Sequence, residues 1–73
     1  MAEIKIEPYQ QWREKDGSDI VEIKYVSGSK ITYRDVNGSD YGAEADMQER
    51  FFRMKYQPTE ETVQKYKKEH PEN

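Results

Sequence analysis

Residues 20–36, IVEIKYVSGSKITYRDV, alternate apolar and polar side chains on both sides of a Ser27-Gly28-Ser29 break. Folding the stretch back about that break sets Ile23 against Tyr33 and Tyr25 against Ile31 on one face. The other face pairs Glu22 with Arg34, Lys24 with Thr32 and Ile20 with Val36. Matched cross-strand pairs are the unit that stabilises a sheet, and a slip of one residue turns every side chain to the wrong face. The stretch therefore specifies an antiparallel β-hairpin.

Upstream, Asp16-Gly17-Ser18-Asp19 is a turn by composition. Tyr9 to Lys15 reads as a turn running into a short strand. Ile4 and Ile6 alternate with Glu3, Lys5 and Glu7, which predicts a first strand that Pro8 ends, since proline cannot donate to a ladder. Downstream, Asn37-Gly38-Ser39-Asp40 is a second turn signal. A loop over 37–39 sets Asp35 against Tyr41, Tyr33 against Ala43 and Ile31 against Ala45, and so predicts a strand over 40–45.

Asp46 then reads as a helix N-cap with Glu49 three residues on, a capping-box variant. Met47, Phe51 and Met54 fall at helical spacing, which predicts a helix over 47–55 with Phe51 inward and Phe52 outward. Tyr56-Gln57 precedes Pro58 and is therefore extended, a fifth strand. Thr59 caps a last helix with Glu60 and Glu61 in its first turn and Lys65, Lys67 and Lys68 towards its end, the polarity a helix dipole prefers. Only Val63 and Tyr66 offer it apolar anchors, so it is expected to dock loosely or to be ordered by a partner. Residues 70–73 are expected to be disordered.

The length of 73 residues allows one small domain. A core of this size supplies roughly 3–5 kcal/mol of net stability, and natural domains on this scale often carry a staple. With no Cys there is no disulfide, and with His70 the one imidazole no metal site is expected. A second copy of the chain is the remaining staple, so a homo-oligomer is expected. Leu is absent, and Ile, Val and Phe total 11 residues, about 15% of the chain and below the ~20% mark associated with disorder at high charge. Six Tyr and Trp12 restore the missing apolar area at a net charge of only −3, so the domain folds around a thin aromatic core. Leu-free, β-branched and aromatic composition suits pleated surfaces better than a helical bundle. The acidic balance gives no general attraction to phosphate backbones. No segment approaches a membrane span or a signal-peptide core, so a soluble protein of the cytoplasm is expected.

No catalytic arrangement survives: a nucleophile would need a base, and His70 sits in the expected tail. No phosphate loop is present, the four Gly lying in separate turns. Two groups remain as binding candidates. The aromatics Tyr9, Trp12, Tyr41 and Tyr56 flank turns, where they would line a groove for an extended peptide. They are also what a Leu-free domain must use as core. Arg50 and Arg53 share a helix face with Arg34 near them on the sheet, and guanidinium forks hold carboxylate or phosphate bidentately. The plain alternative is a solvated face with Glu49 pairing Arg53. The binding set expected from sequence is Trp12, Arg34, Tyr41, Arg50 and Arg53, with no catalytic residue, metal or cofactor.

Trp12-Arg13 with Asp16-Gly17, Val21-Glu22-Ile23, Val26 and Gly28, Ile31 and Tyr33, then Phe51 or Phe52 ahead of Tyr56 and Pro58, resemble small uncharacterised phage and prophage proteins of SH3-like type. The pattern covers residues 9–58. It implies a mainly β (α+β) fold, an SH3-like β-barrel of four to five strands with one inserted helix. Residues 1–58 then form the β-domain, and 59–73 a C-terminal helix and tail that depart from the pattern. The function it implies is a non-enzymatic phage accessory protein in the host cytoplasm. Such a protein engages a host protein or sequesters a small anionic ligand, as an inhibitor of host defence would. The alternative is a nucleic-acid-associated module, favoured by the basic helix and disfavoured by the acidic pI.

Overall fold

The computed structural model describes residues 4–38 and 41–71. The chain is mainly β: β1 (Gln11–Glu14), β2 (Ile20–Ser27), β3 (Lys30–Asp35), β4 (Glu44–Gln48), helix α1 (Glu49–Lys55), β5 (Tyr56–Pro58) and helix α2 (Glu60–Glu69). All strand pairs are antiparallel, in one open sheet of order β4-β3-β2-β1-β5.

The hairpin is β2–β3, and Ile23↔Tyr33 and Glu22↔Arg34 pair as the alternation requires. Nearer the turn the register shifts at Lys24, so that Tyr25 faces Thr32 and Val26 faces Ile31. Val26, not Tyr25, therefore packs beside the core, and Tyr25 is exposed. The bulge shortens the loop to Gly28-Ser29, with Gly28 at φ +62, a conformation that L side chains resist.

The second turn is longer than the composition suggests, and residues 39 and 40 of its signal lie outside the described residues. Asp35 Oδ1 accepts from the Asn37 and Gly38 N–H groups, and Asn37 reaches across to accept from Ile20 N and donate to Ser18 O. β4 consequently starts at Glu44 and pairs Tyr33 with Ala45 and Ile31 with Met47, two residues on from the expected register.

That shift reassigns the next segment. Asp46 is a strand residue facing Thr32, with its carboxylate 3.8 Å from Lys30 Nζ, and is no helix cap. Met47 stays on β4, and α1 starts at Glu49, with Gln48 as N-cap and no side-chain cap bond. Glu49 N–H instead donates to Ser29 O at 2.7 Å, tying the helix start to the hairpin turn, while Lys55 O accepts from Lys15 N–H at 2.9 Å. With Met47 removed from the helix, Phe52 turns inward at 0% exposure and Phe51 turns out at 47%.

Ile4 and Ile6 are buried as their alternation implies, but residues 4–7 form no strand. Side chains satisfy their backbone instead: Arg53 Nη2 donates to Ile4 O, Gln10 Nε2 donates to Lys5 O, and Gln10 Oε1 accepts from Glu7 N–H.

The core gathers Ile4, Ile6, Trp12, Val21, Ile23, Ile31, Tyr33, Phe52 and Tyr56. Phe52 stands at its centre, with ring centroids 5.4 Å from Trp12, 5.4 Å from Tyr33 and 4.7 Å from Tyr56. The Tyr33 and Tyr56 hydroxyls interact with each other, and burial pushes both phenols above the usual tyrosine range; the acidic Asp46 near Tyr33 and Glu14 and Asp19 near Tyr56 add to it. Unfolded phenols ionise from about pH 10, and the folded pair resists. The stability this pair contributes is therefore present below about pH 10 and is lost as the pH climbs towards the folded values. The urea midpoint should fall between pH 9 and 11, with a shallower fall in Tyr56→Phe; a midpoint indifferent to pH in that window contradicts the assignment.

Helix α2 is docked, contrary to the expectation of loose attachment. Thr59 N–H donates to Gln11 O at 3.2 Å, continuing the β1–β5 ladder by one step. Thr62 hydroxyl then does for Gln11 what a strand would, accepting from its N–H at 3.1 Å and donating to its C=O at 2.8 Å. Thr59 hydroxyl caps the helix on Thr62 N–H and donates to Thr62 Oγ1. Tyr66 packs against the core. The expected tail is partly ordered, with the His70 ring stacked 4.1 Å from Tyr66; residues 72–73 lie outside the described residues.

Candidate functional site

Docking α2 beside the segment that leads into β1 leaves a cleft of about 370 Å³ between them. Glu7, Pro8, Tyr9, Gln10 and Gln11 form one wall, and Glu61, Thr62, Lys65, Tyr66 and Glu69 the other. The helical period explains the second wall: Thr62 and Tyr66 share the inner stripe, and Glu61, Lys65 and Glu69 succeed one another one turn apart along its edge. The Thr62–Gln11 hydrogen bonds floor the cleft.

Tyr9 shapes the opposite wall. It adopts φ 74, the sole positive φ among described non-glycine residues, and is 78% exposed. A non-glycine residue held there costs about 1–3 kcal/mol, and persists where its surroundings over-determine it. Here Tyr9 N–H donates to Ile23 O at 2.8 Å and Gln10 O accepts from Ile23 N–H at 2.9 Å, so the chain is pinned to β2 on either side of the strained bond. The result is a tyrosine ring displayed to solvent beside Pro8, opposite Tyr66. Three carboxylates and one ammonium line this cleft, so its potential is negative.

The residues expected to bind from sequence differ in burial and in the partners they already hold. Trp12 is 1% exposed, its indole Nε1–H donating to Gln10 Oε1 at 2.9 Å; it is core, the plain reading of a Leu-free domain, and is withdrawn as a contact residue. Arg34 Nη2 meets Glu22 Oε1 at 3.0 Å. Arg53 Nε meets Glu49 Oε2 at 2.9 Å while its Nη2 holds Ile4 O, and its guanidinium lies 5.7 Å from the Trp12 ring; these contacts anchor residues 4–6 over the core. Arg50 is exposed, its guanidinium 4.8 Å over Phe51. Tyr41 is exposed in the loop before β4. Of the wider aromatic set, Tyr56 is core and Tyr9 alone reaches the cleft. Glu7, Glu61 and Tyr66 carried no local signal, since only the docking of α2 brings them to residues 7–11.

Among the described residues no helix is long and apolar enough to cross a membrane. No protein-family model, curated protein or solved structure matches the chain.

Proposed function

We propose that the protein is a non-enzymatic binding module of SH3-like type, a phage accessory factor that engages a host protein by holding an extended, basic segment in the Tyr9–Tyr66 cleft. The observation that carries this is the strained, exposed Tyr9 set in an acid-lined cleft. A displayed aromatic gives contact area at low entropic cost, and the carboxylates select cationic partners. The five-strand order, with α1 between β4 and β5, supports the SH3-like reading, and a groove receiving extended peptides suits that architecture. The charge of the cleft favours a protein segment over a small anion. It also disfavours nucleic acid, as do the ion pairs that engage Arg34 and Arg53. Among the described residues the outer edge of β4 has no strand beside it, so a second copy pairing there is a compatible route to the expected homo-oligomer.

The test is fluorescence anisotropy with a proline-containing, lysine- and arginine-rich peptide, an acidic peptide of equal length and a duplex DNA. The basic peptide should bind, more weakly as salt rises, and the other two should not. Tyr9→Gly should weaken that binding several-fold. The same change should raise stability by about 1 kcal/mol, because glycine relieves the positive φ. Glu61→Lys should also weaken it. Binding of DNA or the acidic peptide in preference to the basic one would refute the reading.

A further inference from the structure

We infer that Glu7, Glu69 and His70 form a surface site for one divalent transition-metal ion of the zinc class, clamping the end of α2 to the segment before β1. The donors come from opposite ends of the chain, and their ligand atoms all lie within 4.8 Å of one another. Two atoms bound to one ion at about 2.0–2.2 Å stand roughly 3–4 Å apart. His70 Nε2 and Glu7 Oε2 are already 4.0 Å apart, too far for a hydrogen bond and close to the spacing of two ligands on a shared ion.

The donors are also held. The His70 ring stacks on Tyr66 at 4.1 Å with a 29° tilt, and His70 N–H closes the helix on Tyr66 O at 2.9 Å. Glu7 N–H is bonded to Gln10 Oε1, and the Thr62–Gln11 bonds fix the two elements against each other farther along. Small side-chain rotations bring the three donors onto one ion without moving the backbone.

The donor set selects the metal. An imidazole with two carboxylates suits zinc, nickel or ferrous iron, whereas magnesium and calcium prefer oxygen donors throughout. Three protein ligands leave at least one position for water. An ion here bridges residues remote in sequence and supplies the staple that a Cys-free domain of this size lacks. Binding to the folded chain alone raises its apparent stability with metal concentration.

The experiment is calorimetric titration of the full, tag-free chain with zinc chloride, and separately with magnesium chloride, with thermal melts alongside. Zinc should saturate at one per chain and raise the melting temperature, and magnesium should do neither. His70→Ala and Glu7→Gln should each weaken zinc binding at least tenfold, the loss that removal of even a ligand's outer partner brings. Glu61→Gln, in the same cleft but outside the triad, should leave it unchanged. Should a variant fold poorly, cobalt added to the parent chain must broaden the His70 ring resonances before any others. Absence of saturation, parent-like affinity in His70→Ala, or equal binding of magnesium overturns the assignment. No peptide enters this titration, so its outcome is separable from that of the cleft's peptide binding.

Discussion

Phe52→Ala is expected to unfold the protein at ambient temperature, whereas the neighbouring Phe51→Ala should leave it folded. Phe52 is wholly buried, in contact with the rings of Trp12, Tyr33 and Tyr56. Removing a buried Phe costs about 3–5 kcal/mol in lost transfer energy and cavity formation. A core of this size holds only about that much in total. The residual chain has no Leu to fill the space, and the surrounding rings are too rigid to collapse into it. Phe51 is 47% exposed beneath the Arg50 guanidinium, so its truncation should cost about 1 kcal/mol or less. Circular dichroism melts of both variants check this. A cooperative melt for Phe52→Ala near the parent temperature would show that α1 is not the plug between β4 and β5.

The contrast between those two residues shows where the sequence stops being legible. Met47, Phe51 and Met54 form an acceptable helical stripe, and nothing local says that Met47 belongs to a strand. The choice is made by the preceding turn, whose Asp35 and Asn37 side chains bond to backbone groups and delay β4 by two residues. The hairpin itself was readable because Ile23–Tyr33 and Glu22–Arg34 match in character across the strands. Its bulge was not, because Tyr25 and Val26 are adjacent and both apolar, so either can stand opposite Ile31. The arginines mislead for a related reason. Arg50 and Arg53 look alike in sequence, yet the buried path of residues 4–6 recruits Arg53 to Ile4 O. The cleft was the least legible feature, since its walls meet through Thr62 and Gln11, far apart in sequence. A threonine in a capped helix announces no partner so distant along the chain.

That threonine carries the second large effect. Thr62→Val keeps shape and volume but removes the hydroxyl that satisfies both backbone groups of Gln11, at 3.1 and 2.8 Å. Gln11 O keeps the Thr59 N–H at 3.2 Å, but Gln11 N–H is left unpaired, and an unpaired part-buried backbone group costs about 1–3 kcal/mol. The loss should fall chiefly on α2. Amide exchange from 63 to 69 should accelerate by an order of magnitude or more, about 1.4 kcal/mol for each factor of ten, while β2 and β3 stay protected. Thr62→Ser, which retains the hydroxyl, should restore most of the protection. Because Tyr66, Glu69 and His70 ride on the same helix, Thr62→Val should also weaken binding in the cleft without touching any residue that lines its charged edge. If the helix instead exchanges no faster in Thr62→Val than in the parent, Tyr66 packing alone holds it, and the hydroxyl bridge is incidental. If truncation after Pro58 melts like the full chain, α2 contributes nothing to the fold. The β-sheet would then stand alone, with the helix free to serve a partner.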